Sequence, residues 1–108
     1  MADPHEAYET IVAEMRTAGA EPGVMMGMPC LKVGGKLFAG FSKAAGAMTF
    51  KLDDAERDRA LALSGARTFN PSGTRPMKQW VEVPVAHSRQ WRQLAGAAMD
   101  YVVTRAGR

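Results

Sequence analysis

The chain has 108 residues, 46% of them hydrophobic and 23% charged, with a formal net charge of +3. That balance excludes collagen-like, low-complexity and disordered classes and fits one globular domain spanning 1–108. No apolar run approaches the roughly 18 residues a membrane-crossing helix needs. The polar, acidic start has no signal-peptide pattern, and the lone Cys30 cannot form an internal disulfide, so a cytoplasmic protein without membrane contact is expected.

The first element reads as a helix with clear punctuation. Asp3 is placed to cap it, Pro4 suits its first turn, and Glu6 completes a D-x-x-E capping box. Tyr8, Ile11, Val12, Met15 and Ala18 recur at helical spacing, and Gly19 supplies the stop. Glu21-Pro22-Gly23 reads as a turn, followed by a short apolar strand, Val24 to Met28, that Pro29 ends.

Leu31-Lys32-Val33 alternates, with Lys32 facing away from its neighbours. Gly34-Gly35 has the chemistry of a two-residue hairpin turn, and Lys36 to Phe41 is the return strand. After a loop of small residues, Ala47 to Leu52 alternates again. Met48, Phe50 and Leu52 share one side, Thr49 and Lys51 the other. The pattern predicts an antiparallel meander with one buried face.

Asp53 and Glu56 repeat the capping box ahead of a helix that runs to Ser64 and stops at Gly65. A long loop over 66–78 leads to a last strand, Gln79 to Val83, closed by Pro84. Ser88 is positioned to cap the final helix, with Trp91, Leu94, Ala95, Ala98, Tyr101, Val102 and Arg105 along one face. The expected fold is α+β, an antiparallel sheet with helices packed on it, in the order α-β-β-β-β-α-β-α. Phe38, Met48, Phe50, Trp80, Val81, Ile11, Trp91 and Leu94 are its core candidates, with the side taken by Trp80 left open.

Motifs for catalysis are missing from the pattern. Gly34-Gly35-Lys36 is not a phosphate loop, because that motif needs glycine at position 30 and a hydroxyl residue at 37, where Cys30 and Leu37 stand. The two histidines, His5 and His87, lie at opposite ends of the chain with no metal-ligand spacing. A reactive Cys30 would need a base and an open electropositive setting, and Lys32 alone is a thin one. The expectation is a non-enzyme with no catalytic residue, metal or cofactor.

Charge is unevenly placed. Residues 1–30 carry Arg16 against five carboxylates, whereas 31–108 carry thirteen basic and six acidic residues. A basic portion of this kind can meet a polyanion. The candidates for anion or nucleic-acid contact are Lys32, Lys36, Lys51, Arg75 and Lys78. The last two sit in Ser72-Gly73-Thr74-Arg75-Pro76-Met77-Lys78, a stretch whose small residues would leave backbone N–H groups open beside the two cations.

The run Met26-Gly27-Met28-Pro29-Cys30-Leu31-Lys32-Val33-Gly34-Gly35-Lys36-Leu37-Phe38-Ala39-Gly40 resembles the start of the TfoX/Sxy N-terminal domain family. Phe50-Lys51-Leu52, and then Arg75-Pro76-Met77-Lys78-Gln79-Trp80, resemble that family's later segments. The Val33-Gly34-Gly35-Lys36 turn is shared with YjbR/MmcQ-like proteins. The resemblance covers residues 7–103 and implies an α+β domain that is regulatory and contacts nucleic acid. The alternative is a protein-interaction or self-associating module, a homodimer included, in which the acidic first helix of one molecule meets the basic portion of another.

Overall fold

The computed structural model describes residues 3–25, 27–69 and 79–106. Helix α1 (Pro4–Thr17) begins at the expected N-cap, with the Asp3 carboxylate accepting from the Glu6 N–H. It ends in a Schellman motif: the N–H of Ala20 donates to Met15 O and that of Gly19 to Arg16 O. Gly19 takes φ +105°, which a side chain would resist.

Strand β1 (Glu21–Met25) takes in Glu21–Gly23, the residues read as a turn, as well as Val24 and Met25. The chain instead reverses between Met25 and Met28, where Gly27 has φ +79°, and returns as β2 (Met28–Val33). Both prolines are absorbed by this hairpin. Pro22 lies on the outer strand of the sheet, where one side of the backbone has no partner strand. Pro22 and Pro29 both stand on the same alternate pairs of the ladder, Pro22 opposite Leu31 and Pro29 opposite Val24. The hairpin therefore needs neither missing N–H.

Gly34 and Gly35 form the expected tight turn, at φ +57° and +77°, between β2 and β3 (Lys36–Ser42). Strand β4 (Ala47–Lys51) follows, then α2 (Asp54–Leu61), β5 (Arg67–Thr68), β6 (Trp80–Pro84) and α3 (Ser88–Ala106). The six strands are antiparallel in the order β1-β2-β3-β4-β6-β5. The α+β order is as expected, with β5 added inside the segment read as a loop.

Helix α2 stops three residues before Ser64. Ala62, Leu63 and Ala66 donate to Arg59, Ala60 and Leu63 respectively, so the chain tightens into three-residue turns, the last of them enclosing Gly65. Ser88 is not an extended N-cap either. A 3₁₀ turn, Val85–His87, runs directly into α3, and the Ser88 N–H is satisfied by Val85 O.

Cross-strand partners face the same side of a sheet. The row Leu31, Ala39, Phe50 and Val81 therefore lies on one side, and all four are fully buried under the helices. Trp91 is buried in the same core, and its indole N–H donates to Val83 O at 3.2 Å, pinning α3 to β6. All eight core candidates are buried, Val81 at 0% and Trp80 at 9% exposure; Val81 takes the helix side and Trp80 the other. The side chain of Arg105 lies outside those described.

The expectation of one buried face is corrected at the centre of the sheet. Cys30, Gly40 and Thr49 form a row on the side away from the helices, yet Cys30 and Thr49 are only 3% and 2% exposed. The residues there are small and sit below longer neighbours. The stem of Lys32, for one, lies over Gly23 alongside Cys30.

Candidate nucleic-acid interface

Each candidate cation sits where the ladder puts it. Lys32 is next to last in β2, Lys36 opens β3 and Lys51 closes β4. Because these strands alternate in direction, the end of β2, the start of β3 and the end of β4 fall at the same end of the sheet. Three of the five residues singled out from sequence are thereby brought together. Arg75 and Lys78 lie outside the described residues; Phe69 and Gln79, which flank that stretch, are at this same end, next to Trp80 and Leu52.

Lys32 and Lys51 are on the sheet side away from the helices, two strands and so about 10 Å apart. Both are half-buried. Lys32 has a visible reason: an ideal Cβ on Gly23 would meet its Cε and the Cys30 Sγ at 3.8 Å each, so the lysine stem fills the space glycine leaves. Lys36 is exposed beside the turn. No ion pair among the described residues involves any of the three. Arg67, by contrast, is held at 2.9 Å by Glu82 across the β5–β6 ladder.

Burial raises the pKa of the Cys30 thiol above its ordinary value, and the positive charge of Lys32 offsets this only in part. The thiol is thus protonated near neutrality and is a poor nucleophile there. Tyr8, packed flat on Phe41 with ring centroids 5.0 Å apart, has a buried hydroxyl with no hydrogen-bond partner among the described residues. Its pKa is pushed well above the usual phenol range, first by burial and then by the Cys30 and Glu9 charges.

An open cleft of about 360 Å³ lies at the start of α2, lined by Asp53, Asp54, Ala55, Gln79 and Tyr101. Most of its polar groups hold the fold together. Asp53 caps α2 through the Glu56 N–H at 2.8 Å, and Asp54 pairs with Arg57 at 3.3 Å. Gln79 donates to Leu52 O and accepts from Arg57. This clasp was not legible in the sequence, because Gln79 and Arg57 are 22 residues apart. Among the described residues no group of three or more His, Cys, Asp or Glu side chains is arranged to hold a metal, and no helix is long and apolar enough to cross a membrane.

Comparison with known proteins returns no relative: no family model, no curated protein and no solved structure matches the chain.

Proposed function

We propose that this chain is a small regulatory domain that works by contacting nucleic acid rather than by catalysis. The observation that carries the reading is the gathering of Lys32, Lys36 and Lys51 at one end of the sheet, with none of them in an ion pair among the described residues. Unpaired cations at one end of a small domain are an electrostatic footprint for a polyanion. The similarity of the Met26–Gly40 run to the TfoX N-terminal domain supports the regulatory role. The non-catalytic part is supported by the cleft, whose carboxylates and amide are engaged in capping and pairing, and by a thiol kept protonated.

Salt titration of duplex binding tests the reading. Affinity is expected to fall linearly with salt on logarithmic axes. Lys32→Gln/Lys36→Gln/Lys51→Gln is expected to flatten the slope by up to about 2.7, at roughly 0.9 for each phosphate no longer neutralised. Absence of duplex binding at low salt overturns the reading. Light scattering in the same buffers then reports whether the molecule is instead the self-associating module. Pairing through the sheet edge is disfavoured by Pro22, which removes a donor from the outer strand.

A further inference from the structure

The β2–β3 hairpin projects past its neighbours. The first β1–β2 pair is Glu21 with Lys32, and the β3–β4 pairing reaches only Ala39 with Phe50. The pair Val33–Lys36 and the turn beyond it therefore extend past the registered strands on both sides. A Cβ on Gly34 or Gly35 would meet nothing within 4 Å among the described residues, so there is open space around the turn there.

The tip offers backbone N–H and C=O groups alone. It has no side chain of its own. The ladder closes at Val33–Lys36, so the two glycine N–H groups lie beyond it. Its flanking cations are on opposite faces of the ribbon: Lys32 pairs with Leu37 on one, Lys36 with Val33 on the other. Both are lysines, flexible point charges rather than rigid planar forks, and the turn between them has no side chain to reach a base edge.

From this arrangement we infer that the Gly34–Gly35 tip is a contact to the phosphodiester backbone of duplex nucleic acid, with one lysine toward each side of the ribbon, and that it does not read base sequence. A two-stranded ribbon fits the wide groove of a duplex, where a cation on each face meets phosphates on both walls. The inference rests on the nucleic-acid reading above and adds the element and the mode of binding.

The test is fluorescence anisotropy with two labelled duplexes of equal length and unrelated sequence, each over a salt series. The full chain is compared with Lys32→Gln/Lys36→Gln, with circular dichroism of both to establish an unchanged fold. Equal affinity for the two duplexes within about twofold is expected, with the slope of the double variant flatter by about 1.8, at roughly 0.9 for each of two phosphates. A preference above tenfold for one duplex, or an unchanged slope in the folded double variant while the native chain binds, overturns the inference and leaves the nucleic-acid reading standing. Failure of the native chain to bind either duplex at low salt removes both.

Discussion

The position of a Cβ on Gly40 lies 3.0 Å from the Oγ1 of Thr49, across the central β3–β4 pair. Gly40 has no need of an unusual backbone angle. It is glycine because the neighbouring strand brings a hydroxyl to where a methyl group would stand, with Pro29 O at 3.6 Å. Gly40→Ala is expected to destabilise the domain by about 1–3 kcal/mol, the range for overpacking a buried site. Adding Thr49→Ala should recover part of that loss. Denaturant melts of the two single variants and the double variant measure the coupling, and strict additivity would show that the pair does not interact.

Removing the Tyr8 hydroxyl should cost nothing. The oxygen is buried without a partner among the described residues, so it was desolvated on folding with no hydrogen bond in return. Tyr8→Phe keeps the ring stacked on Phe41 and is expected to be neutral or stabilising by about 1 kcal/mol. A loss of more than about 1 kcal/mol in thermal or urea unfolding would mean that the hydroxyl has a partner.

Alkaline pH should unfold the protein progressively. The Cys30 and Tyr8 pKa values are both raised on folding, in each case first by burial. For an acid whose folded pKa is raised, stability is complete below the unfolded value and is lost as pH rises past it. The unfolded thiol ionises near 9.0 and the phenol near 10.0. Stability should therefore hold to about pH 8 and then decline, by up to about 1.4 kcal/mol per pH unit for each group. Melting temperatures across the neutral to alkaline range check this, and Tyr8→Phe should blunt the fall above about pH 10.

Asp53 and Gln79 are each expected to carry measurable stability. Asp53→Ala removes the acceptor held at 2.8 Å from the Glu56 N–H and should cost about 1 kcal/mol. Gln79→Ala breaks the clasp between Leu52 and Arg57 and should cost at least as much, since it strips a partner from a part-buried carbonyl. Equilibrium unfolding of each variant decides the order.

Local chemistry was readable from the residues alone. The caps at Asp3 and Asp53, the stop at Gly19, the Gly34–Gly35 turn and the alternation of Met48 to Leu52 all depend on interactions within a few residues, and all lie where the pattern placed them. The facing of Lys32 and Lys51, away from Leu31 and Phe50, was legible for the same reason, since alternation sets which way each strand residue points. Tertiary structure decided the rest. Glu21–Gly23 carries turn chemistry, yet pairing with Lys32, Leu31 and Cys30 draws it into a strand, because a ladder of cross-strand bonds outweighs the local preference of Pro22 and Gly23. Strand β5 exists only because β6 is there to pair with it, Arg67 lying opposite Glu82, 15 residues further along the chain. The placing of three lysines at one end of the sheet, the burial of Thr49 on the side without helices, and the Gln79 clasp follow from strand order, which no window of sequence contains.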